Sequence, residues 1–462
     1  MRRLLWAVPL LCAACGVLPG RGDVADDAVA EAATDAANDA AIEAAYTVQG
    51  ADGRASARVL TRANACPAIE IDGRAQAMRL RVAAGTVPTR AGGAQADAKP
   101  AAFEVTTCEA ALPAGVRRAS VGGHALAVPA ATVNRIVVIG DTGCRLKASE
   151  GQFQSCAEGG SWPFADLARS AAAQRPDLVV HVGDYNYRES PCPADAAGCA
   201  GSPWGYGSDT WLADLMRPAR PLLAAAPWVV VRGNHESCSR AGQGWFRFLD
   251  PSPWTEARSC NDPANDADAD YSPPYPVALG GGTQLLVFDS SRSGAKAYDA
   301  NDPAFHRYAA QLRQLDALAG QAPHSFFLSH HPVLGLAPDQ EHGAAPSVQG
   351  LSSVMRARHP DSLLPPSIEL AMHGHEHLFE ALSFSSGHAA TLVLGNGGSA
   401  NEGSLPVHLP SARLPFADTR IDDFFTHSGF GYAVLERDGE NWDVTGHDQH
   451  GVSILRCRLA QR

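Results

Sequence analysis

"LVVHVGDYNYRESPCP", residues 178–193, decides how this chain is read. Leu178, Val179, Val180 and Val182 form a nearly continuous apolar run, the pattern of a parallel strand buried on both faces. The run stops at Gly183-Asp184, so a carboxylate stands where the strand reaches the edge at which open sheets bind ligands. Three residues later comes Tyr187, in a loop that also carries Arg188, Glu189 and Cys192. A phenol at a strand end usually packs. Whether this one does more depends on what other strands deliver to the same edge.

Apolar runs at 136–139, 228–231, 284–288, 325–328, 368–372 and 391–394 share this character and alternate with helical segments. One helix is expected over 304–319, where Phe305, Tyr308, Leu312, Leu315 and Leu318 recur at helical spacing. Strand–helix alternation predicts an α/β sheet covered on both faces. The strand ends read "VVIGDTG" with Asp141, "VVVRGNHES" with Asn234, His235 and Glu236, "FFLSHHPV" with His330 and His331, and "LAMHGHEHLFE" with His375 and His377. Each is a metal ligand or a group suited to proton transfer. Two carboxylates, several imidazoles and an amide oxygen are too many for one ion. They suit two ions about 3.5–4 Å apart that share one carboxylate, for which Asp184 is the natural bridge. Burying such a set without a cation would cost too much to be a structural core.

These blocks, GDxG, GDxxY, GNHE, HHP and GHxH, resemble those of the calcineurin-like metallophosphoesterases, and GD-x-x-Y is similar to the purple acid phosphatase branch. The resemblance implies an α/β fold, a β-sandwich flanked by helices (αββα), and hydrolysis of phosphate monoesters by a metal-bound hydroxide. A phosphodiesterase or nucleotidase on the same two metals is the alternative, and a non-catalytic binding lipoprotein the more distant one. Carried over residue by residue, it puts Asp141, Asp184, Tyr187 and His377 on a first metal and Asp184, Asn234, His330 and His375 on a second. His235 becomes proton donor or phosphate-positioning group, with Glu236 oriented behind it. Tyr187 is implied to ligate Fe(III), with Zn, Fe or Mn as the divalent partner. A phenol of pKa about 10 ionises at mild pH only beside so polarising an ion. Two divalent ions and a neutral phenol leave the same residual charge, so that pair stays open. His331 stands where the branch often has Tyr and is read as lying behind the ligands or, with His342, as a substrate-binding wall, and not as a ligand. His181 and His373 read as core histidines.

The chain has 462 residues, 45% of them hydrophobic and 19% charged, which suits a globular protein of two domains or more. Its net charge of −12 argues against a nucleic-acid-binding surface, and the resemblance implies a small phosphate ester as partner. Residues 1–15, "MRRLLWAVPLLCAAC", read as a lipoprotein-type signal peptide with lipidation at Cys15, against ordinary signal cleavage. That makes the chain an exported periplasmic or outer-membrane lipoprotein of a bacterium, touching the membrane only through its N-terminal lipid. Residues 16–44 are rich in Ala, Asp and Glu and read as an acidic tether, or as a nascent helix. Alternating stretches over 45–132 predict a small N-terminal all-β sandwich domain, leaving 133–462 as the catalytic domain.

Export favours disulfides, and nine cysteines remain after Cys12 and Cys15. Cys66 and Cys108 are a candidate staple of the sandwich. Cys144/Cys156, Cys192/Cys199 and Cys238/Cys260 each follow a motif-bearing strand end, so neighbour pairing would staple three loops around the site. Trp204, Tyr206, Trp211, Trp245 and Trp254 in those loops would form either a specificity wall or a packed lid.

Overall fold

Arg135–Ile139, Leu178–His181 and Trp228–Val230 are dense in β-branched residues, and they lie side by side as parallel strands, with Ile136 opposite Leu178 and Val179 opposite Trp228. Our computed structural model describes residues 40–90, 98–157, 161–341, 343–409 and 419–459. A second parallel set is formed by Thr283–Val287, His324–Leu328, Ile368–His373 and Ala390–Leu394. Antiparallel strands flank both sets, giving sheets of ten and seven strands.

Side-chain alternation turns these strands into layers. Ile136, Val138, Val180 and Val229 meet Leu285, Phe326, Leu370 and Met372 in the space between the sheets. The intervening Val137, Val179 and Trp228 point the other way, onto Phe164 and Leu167 of the helix Phe164–Ala173. On the far side Leu286 and Phe327 pack against Tyr308, Leu312 and Leu315 of the helix Pro303–Ala319. That helix starts where the sequence allows: Asp302 accepts the Ala304 N–H, and Pro303, having no N–H to lose, takes the first turn. The result is helix, sheet, sheet, helix. Each fully buried aliphatic or aromatic side chain contributes about 1.5–3 kcal/mol, so the strands are firm supports for the irregular loops at their ends.

The N-terminal region is less separate than the sequence suggests. A small apolar cluster of its own joins Ala57, Val59 and Cys108 to Ile69 and Val121. Yet Ile42–Gln49 pairs in parallel with the catalytic strand Trp228–Val230, and Ala55–Thr61, Thr106–Leu112 and Arg79–Val82 continue the same ten-stranded sheet. Backbone hydrogen bonding therefore crosses the expected boundary near 132. The first strand also takes Ile42, Glu43 and Ala44 from the expected tether; residues 1–39, including Cys15, lie outside the described residues. Among the described residues no helix is long and apolar enough to cross a membrane.

Two buried guanidiniums lock the junction. Arg58 donates to the carbonyls of Phe248 and Asp250 at 2.8 and 2.7 Å, and Arg81 donates to Phe246 and Asp250 at 2.8 and 3.0 Å. Glu109 lies between them, 3.3 Å from Arg58 and 3.0 Å from Arg81. Burial and the charge of Arg81 bring the Arg58 pKa down to about 10. We expect Arg58→Ala to lower the unfolding free energy by about 3–5 kcal/mol in a urea titration. Exposed Arg74→Ala should stay within about 0.5 kcal/mol. Equal small losses would show that the junction carries no such weight.

Candidate metal centre

The motif residues converge because both sheets end at one place. Asp141, Asp184, Asn234 and His235 leave the first sheet, while His330, His331, His375 and His377 leave the second. Three of them sit on left-handed backbone: Asp141 at φ 55°, Asp184 at φ 57° and His375 at φ 75°. Each such turn costs an L-residue about 1–3 kcal/mol and is kept where a side chain must be turned back over a strand end. The motif glycines follow from the same crowding. A Cβ on Gly183, at φ 107°, would come within 2.5 Å of His330 Nδ1, and one on Gly233 within 2.0 Å of Asp184 Oδ1.

Two groups of donors meet at Asp184. Tyr187 Oη lies 2.8 Å from Asp141 Oδ1, 3.0 Å from Asp184 Oδ2 and 2.9 Å from His377 Nε2. On the other side His330 Nε2 lies 3.2 Å from the same Asp184 oxygen and 2.9 Å from Asn234 Oδ1, with His375 Nδ1 3.1 Å from that amide oxygen. A phenol has one proton and cannot hydrogen-bond to three acceptors at once. The excess of lone pairs is what a cation would neutralise. Asp141, Asp184 and His330 offer ligand atoms all within 4.8 Å of one another, and so do His330, His331 and His375. A similar cluster, Cys238, Cys260 and Asp270, is spoken for, because its two sulfurs form a disulfide.

The imidazoles are oriented for this task. His330 Nδ1 is 3.0 Å from Val182 O, His377 Nδ1 is 2.7 Å from Ala400 O and His235 Nδ1 is 3.0 Å from Asn186 O. Only an N–H can satisfy a carbonyl, so each Nδ1 carries a proton and Nε2 is the atom turned towards the cluster, the orientation metal-binding histidines need. The electrostatics agree. Burial lowers the pKa of His330, but Asp184 and Asp141 outweigh it and lift it to about 9. Burial raises Asp184, yet His330 and His235 hold it well below the usual carboxylate range. Tyr187 is pushed well above the phenol range by burial and by the Asp141 and Asp184 carboxylates. In the protein alone the carboxylates thus draw a proton onto His330; bound cations would oppose the same charge.

Several residues differ from their expected place. Glu236 does not back His235: its carboxylate accepts the N–H groups of Gly233, Asp184, Tyr185 and Asn186 at 2.8–3.2 Å. It fixes the turn that presents Asp184. His235 instead has Glu189 Oε1 3.2 Å from Nδ1, and Arg240 Nη2 within 2.8 Å of its ring. Beside His377, Arg145 places Nη1 3.2 Å from the ring Nδ1, and its guanidinium pairs with Glu402 and Glu150. Neither arginine falls inside a motif; their one signal is position, four residues after Asp141 and six after Asn234. His331 is buried between His330 and His375, with Nδ1 3.2 Å from Ser290 Oγ, deeper than a wall position. His342 lies outside the described residues.

The neighbour-paired disulfides Cys66–Cys108, Cys144–Cys156, Cys192–Cys199 and Cys238–Cys260 are present, and Cys457 is free and exposed. Trp211 and Trp245 are buried in the outer core with Trp254 and Tyr206 packed on them, so these aromatics form a packed layer more than a wall. His181 and His373 are fully buried and neutral, His181 against Thr142 Oγ1 at 3.0 Å and His373 against Ser329 Oγ at 3.0 Å.

The family model for calcineurin-like phosphoesterases matches residues 134–379. No curated protein sequence matches the chain. Among solved structures, a purple acid phosphatase from yellow lupin (Lupinus luteus) seeds is 14% identical with a TM-score of 0.53, over 90% of this chain and 73% of that one. PhoD is 11% identical with a TM-score of 0.52, over 91% and 92%. These two likenesses are likenesses of fold.

Two stability measurements check the supports of the site. Glu236→Ala leaves four backbone N–H groups without their acceptor and should cost about 3 kcal/mol or more in urea unfolding; a loss under 1 kcal/mol would contradict the turn-holding role. Burial keeps the pKa of His181 well below its ordinary value, so the ring stays neutral when folded and takes up a proton near pH 6.5 when unfolded. Below that pH the unfolded chain binds the extra proton, and this ring's share of stability falls by about 1.4 kcal/mol per unit. His181→Asn should flatten that slope, and an unchanged slope would assign it elsewhere.

Proposed function

The chain belongs to the calcineurin-like phosphoesterase family and is a metal-dependent phosphoric ester hydrolase; on that premise we propose that it hydrolyses phosphate monoesters, in the manner of an acid phosphatase, at a two-metal centre. The observation that carries the reading is the crowding of Asp141, Asp184 and His377 around one phenol oxygen, beside a second set on Asn234. Asp141, Asp184, Tyr187 and His377 would hold one ion, and Asp184, Asn234, His330 and His375 the other. Bound there, two cations supply a water of lowered pKa as nucleophile and positive charge against the phosphoryl oxygens. Ferric iron with Zn, Fe or Mn is the pair we favour, because ionising the buried Tyr187 needs a strongly polarising ion.

The chain's own groups would do the rest. Asp184 fixes the spacing of the two halves, and Glu236 fixes Asp184. His235, with Nδ1 tied to Asn186 O, directs Nε2 to within 3.7 Å of Asp184 Oδ2. From there it would hold the proton that passes to the leaving oxygen. Four disulfides suit an oxidising compartment, in keeping with export and an anchor at Cys15.

Initial rates on p-nitrophenyl phosphate should exceed those on bis-p-nitrophenyl phosphate, and Asp184→Asn should lower kcat/KM by about three orders of magnitude. A strong diester preference would replace the monoester reading with the phosphodiesterase one. If iron is present, Tyr187→Phe should abolish a visible absorption band of the wild type; an iron-free active enzyme would leave Tyr187 as a packing residue.

A further inference from the structure

Buried guanidiniums in this chain are of two kinds. Arg58, Arg81 and Arg232 are sealed from solvent and donate to backbone carbonyls, Arg58 to Phe248 and Asp250, and Arg232 to Glu236 and Ala269. Arg240 is different. Its side chain is 17% exposed, and among the described residues it donates to no carbonyl; its contacts are Glu189 and the His235 ring. Glu189 accepts from Nε at 2.7 Å and also engages Nη2, so one edge of the planar group is anchored and its direction set. Nη2 lies 2.7 Å from His235 Nε2, and that ring atom lies 3.7 Å from Asp184 Oδ2. The guanidinium therefore stands on the side of the ring that faces the shared carboxylate. Arg145, the cation beside His377, is held by two carboxylates, Glu402 and Glu150. The Cys238–Cys260 disulfide ties down the turn behind Arg240, whose own N–H donates to Ser237 O at 2.9 Å.

An arginine has donors only, so His235 Nε2 is the acceptor of this contact. One ring atom cannot both accept that N–H and face a leaving oxygen. An ester bound at the centre must displace the guanidinium from it, and the acceptors that then arrive are phosphoryl oxygens, which an anchored planar fork suits better than a point charge. Resting on the monoester reading above, we propose that Arg240 exchanges His235 Nε2 for a phosphoryl oxygen of the substrate, and that this contact selects monoesters over diesters. Near neutral pH a monoester carries a second negative charge, and one more oxygen free of alcohol, than a diester does. That additional oxygen is the one Arg240 takes. Glu189 is its positioning residue, holding Nε while the rest of the fork turns from ring to substrate. Selectivity then comes from a disulfide-stapled loop outside the strand-end motifs.

The test uses metal-loaded wild type, Arg240→Gln and Arg240→Lys, with p-nitrophenyl phosphate and bis-p-nitrophenyl phosphate as esters and inorganic phosphate as the binding probe. In Arg240→Gln the monoester-to-diester ratio of kcat/KM should fall about tenfold or more, and calorimetric affinity for phosphate should fall by a similar factor. Arg240→Lys keeps the charge without the fork and should lie between the two on both measures. Should Arg240→Gln not fold, the same readouts on Arg240→Lys decide. An unchanged ratio, or phosphate affinity at the wild-type level, would make Arg240 a support for His235 and overturn the inference, leaving the phosphatase reading in place. A wild type that prefers the diester overturns the monoester reading, and selection by Arg240 with it; weaker phosphate binding in both variants would then retain the contact alone.

Discussion

Two carboxylates lie 2.8 and 3.0 Å from one phenol oxygen in a buried site, and the single phenol proton cannot serve both. That electrostatic excess is the constraint on which the rest depends. Left-handed turns at Asp141, Asp184 and His375, glycines at closest approach, Glu236 gripping four N–H groups, and carbonyls holding Nδ1 of three histidines are all devices that keep acceptors crowded. Local strain of this kind persists because the strands behind it are buried on both faces and over-determine the loop ends.

The surroundings of the centre are asymmetric. Cationic side chains gather on the flank of Tyr187, where Arg145 lies near His377 and Arg240 near His235. The flank of the second group is lined by His331, whose pKa burial and His330 bring down to about 3. Its ring there is neutral. Such a gradient orients an anionic substrate before any bond changes. The stapled loops that follow Asp141, Asp184 and Asn234 carry Arg145, Glu189 and Arg240, so the disulfides position the charged flank as well as the rim.

Much of this was legible in the sequence, for a physical reason. Strands buried on both faces leave continuous apolar runs, and polar side chains gathered at their carboxyl ends leave short motifs directly after them; the convergence of Asp141, Asp184, Asn234 and His330 could be read that way. So could the helix at Pro303–Ala319, whose stripe has helical period. Contacts between distant segments carry no such signature. Glu236 looked like support for its neighbour His235, but its side chain turns back to the loop after Leu178–His181. Arg240 and Arg145 gain meaning only through the rings beside them. The N-terminal strands looked like a domain because alternation reports a half-buried strand without saying which sheet it joins; Val48 opposite Trp228 settles that only in three dimensions.

The most direct test of the central claim is a count of metal per chain. Protein saturated with iron and zinc, dialysed and analysed by atomic emission should carry two ions per chain, and Asp184→Asn, which weakens the shared oxygen, should carry one or fewer. Wild-type protein with no tightly held ion, or an Asp184→Asn variant that keeps both, would contradict the account.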